Sequence, residues 1–95
     1  MRDYELTLVI RPDVEDAGLT TLLEKIKGLI TSAGGQGIQV EPWGRRHLAY
    51  PIKKITEAHY FLIRTQLPAQ ALRELERNLR LTEVVLRFLL VRADE

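Results

Sequence analysis

The sequence predicts an α+β fold with element order β-α-β-β-α-β, a four-stranded antiparallel sheet with two helices on one face. Three observations lead there. Apolar residues alternate with period two in three stretches, and a fourth stretch near the C-terminus is a nearly continuous apolar run. Two other stretches space leucine and isoleucine by three and four. Pro12, Gly34-Gly35 and Pro68 punctuate the changes from one period to the other.

The first strand is expected over residues 4–10, with Tyr4, Leu6, Leu8 and Ile10 on one face and Glu5, Thr7 and Val9 on the other. Arg11-Pro12-Asp13 ends it, and Asp13 is a candidate N-cap for the helix that follows, with Glu15 and Asp16 in its first turn. Leu19, Leu22, Leu23, Ile26, Leu29, Ile30 and Ala33 then form one apolar helical face, which Gly34-Gly35 terminates. A long second strand runs over residues 38–52. Pro42 and Pro51 cannot donate to a ladder, so it belongs at a sheet edge or carries a bulge.

Residues 53–57 read as a polar turn. Residues 59–67 form a third strand with Phe61, Ile63, Thr65 and Leu67 on one face and Tyr60, Leu62, Arg64 and Gln66 on the other. Pro68 opens a second helix with Ala71, Leu72, Leu75 and Leu79 inward and Arg73, Arg77 and Arg80 outward. Residues 84–92 are a nearly continuous apolar run, which suits a strand inside the sheet. Right-handed crossovers through this order give the ferredoxin-like architecture. Leu6, Leu8, Ile10, Leu22, Ile26, Leu29, Ile63, Leu75 and Leu79 are the expected core.

Ninety-five residues with 45% hydrophobic and 28% charged side chains fit one globular domain over residues 1–95. No apolar run reaches the roughly 18 residues that span a bilayer. The absence of cysteine excludes disulfides and thiolate metal sites, and fits a reducing cytoplasm. Net charge is +1, unevenly spread: residues 1–41 hold four basic and seven acidic side chains, residues 42–95 ten and six. That asymmetry suits a molecule with one face toward a polyanion.

Catalytic constellations are absent from the sequence. An acylphosphatase-like phosphate cradle would occupy the first strand-to-helix turn, where Pro12 removes a donor and Asp13 repels an anion. His47 and His59 stand without ligands at metal-binding spacing, and Glu74 and Glu76 lie among arginines on an outer helical surface. No cofactor, metal, membrane or small-molecule substrate is expected. Base stacking on the sheet has only Tyr60 to offer.

Phosphate recognition is better supplied. The stretch EPWGRRHLAYPIKK places Arg45, Arg46, Lys53 and Lys54 around an apolar alternation; either a bulge at Gly44 aims both adjacent arginines outward, or only one of them faces a phosphate while the other contacts its own fold. Leu48, Tyr50 and Ile52 are expected to tie this platform to the core. An edge strand guarded by charge against strand addition is the plainer account of the same residues, and the two are compatible.

The segment WGRRHLAYPI at residues 43–52 closely resembles the signature of the bacterial small-subunit ribosomal protein number six family. The resemblance extends to the opening MRDYEL, the Arg11-Pro12 turn, Ala58-His59-Tyr60 and the strand over residues 85–92. It implies the ferredoxin-like fold, a cytoplasmic ribosomal location, no enzymatic activity, and binding to the central domain of small-subunit ribosomal RNA as a heterodimer with ribosomal protein eighteen. On that reading the RNA-contacting candidates are Arg2, Arg45, Arg46, His47, Lys53, Lys54, Arg87 and Arg92. Of the adjacent arginines, Arg46 is expected to be the stronger phosphate contact. Val9, Tyr60, Leu62, Leu89 and Val91, on the sheet face that no helix covers, are the partner-binding candidates. Family members vary among arginine, lysine and glutamine at the position of His47, and some carry a longer tail. A small-ligand regulatory module on the same fold is the rival reading.

Overall fold

The computed structural model describes residues 1–93, so Asp94 and Glu95 lie outside the described residues. Its elements are β1 (Arg2–Ile10), α1 (Asp16–Ser32), β2 (Gln36–Ile52), β3 (Ile55–Leu67), a 3-10 turn at Ala69–Ala71, α2 (Leu72–Arg80) and β4 (Val85–Arg92). The strands form one sheet in the order β2-β3-β1-β4, antiparallel at every pairing. This is the expected ferredoxin-like architecture.

The period-two pattern of β1 builds the core. Tyr4, Leu6, Leu8 and Ile10 are each at most 4% exposed. Leu6 lies opposite Ile63 of β3 and Leu90 of β4, and Leu8 opposite Phe61 and Phe88. Leu19, Leu22, Ile26 and Ile30 of α1 and Leu75 and Leu79 of α2 close over this layer from one side. Burying each such side chain stabilises the fold by about 1.5–3 kcal/mol. Leu29, expected in the core, is only half-buried at its margin. At the end of α1 the Gly35 amide donates to the Ile30 carbonyl at 2.8 Å, and a Cβ there would lie 2.4 Å from Ile30 Cγ2. Only glycine lets the chain turn so tightly into β2.

Three expectations are corrected. Asp13 does not cap α1: its carboxylate accepts from Arg11 Nε at 3.2 Å and Nη2 at 2.8 Å, and Glu15 takes the cap position without a side-chain bond. A neighbouring guanidinium outcompetes a single backbone amide for the carboxylate. The polar turn is shorter than residues 53–57, since Ile52 pairs with Ile55 and only Lys53 and Lys54 lie between. Finally, β4 is an edge strand and not an interior one. Its continuous apolar run serves two environments: Phe88 and Leu90 pack on the core, while Leu89 and Val91 remain 60% and 41% exposed on the open face.

Candidate nucleic-acid interface

β1 stops at Ile10, opposite His59, but β2 and β3 continue past that level as a two-stranded ribbon ending at Lys53-Lys54. Both lysines have positive φ, 48° and 70°, as a two-residue hairpin of the type I′ kind requires. That conformation costs a residue with a side chain about 1–2 kcal/mol, and it sets both exposed ammonium groups at the tip. Residues 42–58 hold Arg45, Arg46, Lys53 and Lys54 against Glu57 as the sole acid.

A bulge decides where the two arginines point. Pro42 pairs with Phe61 and Gly44 with Tyr60, which leaves Trp43 as an extra residue without a register partner. Gly44, at φ 77°, supplies the left-handed backbone of the bulge. Before the bulge, odd-numbered Gln39 and Glu41 share the open face with Arg64 and Leu62; after it, even-numbered Arg46 lies there, opposite Ala58. Arg45 pairs with His59 on the helix side. The bulge therefore does not aim both arginines one way; of the two expected arrangements the chain has the one in which the neighbours part and one of them contacts its own fold. The extra residue switches the parity of the strand, and neighbours on a regular strand still alternate.

The consequences for the two guanidinium groups are opposite. Arg45 donates from Nη2 to the Pro12 carbonyl at 3.0 Å. His59 Nε2 lies 3.1 Å from the Val14 carbonyl, a hydrogen bond in the tautomer protonated there. Together they fasten the loop between β1 and α1. Arg46 instead lies over the Trp43 indole, its Cζ 5.1 Å from the ring centroid, and donates from Nε to the Trp43 carbonyl at 3.3 Å.

The ribbon is irregular a second time. His47 pairs with Glu57 and Ile52 with Ile55, so residues 48–51 stand opposite Thr56 alone. Alternation is lost there, and Tyr50 is 62% exposed while Leu48 and Ile52 are half-buried. The expected anchoring of Leu48, Tyr50 and Ile52 to the core is thus corrected. Tyr50 meets Arg87 of β4: Arg87 Nη1 donates to the phenol oxygen at 3.4 Å and its Cζ sits 5.3 Å from the ring centroid. β2 and β4 are three strand spacings apart, about 14 Å, so the two long side chains reach toward each other across the ends of β3 and β1.

The open face also carries a network that the sequence did not reveal. Arg64 donates from Nε to Glu5 Oε2 at 3.1 Å and from Nη1 to Glu41 Oε1 at 3.3 Å, bridging β1, β3 and β2. Trp43 Nε1 donates to Glu41 Oε2 at 2.6 Å. The indole bond, and then Arg64, hold the Glu41 carboxyl below its ordinary value, and the Glu5 bond raises that of Arg64. Glu5, Glu41 and Arg64 stand on three different strands, and only the register shows that they meet.

The remaining candidates separate into two ends of the sheet. His47 is exposed on the ribbon opposite Glu57. Arg2 and Arg92 lie at the far end, opposite Leu67 and Tyr4, about 27 Å and about 20 Å of strand away from the level of Ile10. Of the partner candidates, Val9 and Leu62 are 5% exposed, Tyr60 is half-buried, and Leu89 and Val91 are exposed. Among the described residues no group of three or more His, Asp or Glu could hold a metal ion, and no helix is long and apolar enough to cross a membrane.

Residues 3–92 match the family model for ribosomal protein S6. The chain is 44% identical over 94 residues to small ribosomal subunit protein bS6 of Ruthia magnifica, covering 99% of this chain and 82% of that protein. It is 38% identical to the protein of the same name from Heliobacterium modesticaldum, covering 100% and 99%. Among solved structures it resembles the crystal structure of 30S ribosomal protein S6 from Thermotoga maritima, with a TM-score of 0.91 at 35% identity over 98% of this chain and 88% of that one. A ferredoxin-like sheet that ends in a basic ribbon, and matches of this extent, make the chain a member of the ribosomal protein S6 family, a small-subunit protein of the cytoplasmic ribosome.

Proposed function

We propose that the chain, working as one domain over residues 1–95, binds the central domain of small-subunit ribosomal RNA together with ribosomal protein eighteen, in an architectural and not a chemical role. The observation that carries this reading is the ribbon. It projects beyond β1, carries four permanent cations against one acid, and presents Arg46 and the two tip lysines to solvent. Such an array suits phosphate oxygens, which fix position without reading sequence. Arg87, held against Tyr50, extends it toward β4, and His47 adds charge when protonated. Arg2 and Arg92 would serve a separate stretch of RNA. Leu89 and Val91 are the exposed apolar surface offered to the protein partner, and Val9, Leu62 and Tyr60 continue the same open face across β1 and β3, Val9 and Leu62 buried and Tyr60 half-buried.

The test is binding of the heterodimer to a central-domain RNA fragment across a salt series. Arg46→Ala is expected to lower the slope of log affinity against log salt by about one, with little change in sequence preference. A triple variant of Arg46, Lys53 and Lys54 to alanine that kept the wild-type slope while folded would reduce the ribbon to a guarded edge. Co-sedimentation with the small subunit distinguishes this reading from a small-ligand module.

A further inference from the structure

Arg46 is the only one of the adjacent arginines free of the fold's own loops, yet it is not loose. Its Nε donates to the Trp43 carbonyl and its Cζ lies over the Trp43 ring, while its two Nη groups make no hydrogen bond to a described residue. Trp43 in turn is fixed from its other end. The indole N–H holds Glu41, Glu41 holds Arg64, and Arg64 holds Glu5 on β1. A continuous chain of side chains thus runs from the centre of the sheet to the one guanidinium of the pair that points out on the open face. The bulge makes this possible twice over: Trp43 is its inserted residue, and the insertion moves Arg46 onto the side where Glu41 and Arg64 already are.

Resting on the phosphate-binding reading of the ribbon, we infer that Trp43 is a positioning residue for RNA: it preorganises Arg46 so that both Nη groups face one phosphate. An arginine side chain ordinarily gives up much rotamer freedom when it is immobilised on a ligand. Here the ring and the Trp43 carbonyl have removed that freedom beforehand, and the planar fork is left for two phosphate oxygens. Trp43 therefore raises affinity through Arg46 without touching RNA. The tether to Glu41 and Arg64 keeps the indole in place, so the open-face network acts as the support of the contact.

The full-length chain with ribosomal protein eighteen and a central-domain RNA fragment supplies the test, as a double-mutant cycle across salt. Trp43→Leu is expected to weaken binding about two- to fivefold, the range of an exposed guanidinium–ring contact, with the salt slope near wild type. Arg46→Ala is expected to lower the slope by about one, and adding Trp43→Leu to it should change nothing further. Equal losses from Trp43→Leu in the wild-type and Arg46→Ala backgrounds would overturn the inference and leave the ribbon reading standing. An Arg46→Ala variant with the wild-type affinity and slope would overturn both. Should Trp43→Leu fail to fold by circular dichroism, Trp43→Phe carries the cycle. It keeps a ring but not the N–H, so a smaller loss that vanishes without Arg46 is expected, and one that persists overturns the inference.

Discussion

The two margins of this sheet are built to different rules. Along β2 the chain places Pro42 and Pro51, a bulge at Trp43, further register shifts between Gln36 and Gln39 and over residues 48–51, and cations out to the turn. Along β4 there is no proline, the register with β1 stays regular from Tyr4 to Val9, and the outward residues include Leu89 and Val91. A margin interrupted by prolines, bulges and charge resists the addition of another strand. A regular apolar margin does not. The difference teaches that the two margins of one sheet can carry different chemistry, because proline, bulges and charge are confined to β2 while β4 keeps a regular ladder with apolar residues outward.

Both margins depend on the same core, so the largest expected effect strikes them together. Ile26→Ala should destabilise the protein by about 2–5 kcal/mol, with one shared transition by circular dichroism and by Trp43 fluorescence in denaturant. A loss below about 1 kcal/mol would mean that α1 does not hold the sheet as described.

The comparison itself can be broken at β4. Leu89→Glu with Val91→Glu is expected to weaken pairing with ribosomal protein eighteen at least tenfold in a titration, with circular dichroism unchanged, since both positions are exposed. Full-strength pairing would move the protein partner to another surface. At β2 the comparison narrows to neighbours. Arg45→Ala should cost about 1 kcal/mol of stability through the Pro12 carbonyl and leave the salt slope for RNA unaltered, the reverse of Arg46→Ala. Should Arg45→Ala also lower the slope, the bulge would not divide the pair.

The tip offers a trade. Replacing Lys53 by asparagine and Lys54 by glycine puts the residues that type I′ turns favour where φ is positive. A gain of about 1 kcal/mol is expected, together with a salt slope lower by up to two units. A variant that gained stability and kept full RNA affinity would show that the lysines serve no contact. The smallest effect concerns pH. Glu41 has its pKa lowered by the Trp43 indole and by Arg64, so its contribution is fully present above the ordinary 4.5 and is lost as pH falls through the lowered value. Trp43 emission should therefore step below pH 4.5 in the wild type and not in Glu41→Gln. A step in both would assign the change to another carboxyl.

How much of this was legible depended on regularity. Tyr4, Leu6, Leu8 and Ile10 declared β1 because a flat strand over a core repeats with period two, and Leu19 to Ile30 declared α1 by the same logic with another period. Pro42 and Gly44 announced a bulge, but not that Trp43 would be its extra residue, because parity is set by the partner strand. Tyr50 looked like a core anchor only while the alternation was taken to continue past Leu48. The Lys53-Lys54 turn carries no asparagine or glycine and so had no turn chemistry to read. The Glu5–Arg64–Glu41 bridge joins residues from three strands, and no local pattern contains it.

Strand order also has a consequence for the chain while it is being made. β1 is synthesised first, yet it lies between β3 and β4, the last two strands of the sequence. At about 5–20 residues per second, several seconds of synthesis separate the appearance of Leu6, Leu8 and Ile10 from that of Ile63 and Phe61, their first partners across the ladder. α1 is complete much earlier, and its Leu19, Leu22, Ile26 and Ile30 offer β1 an apolar surface before β3 exists. The helix that later roofs the sheet is thus also an early cover for its central strand, a temporal duty that the finished architecture conceals.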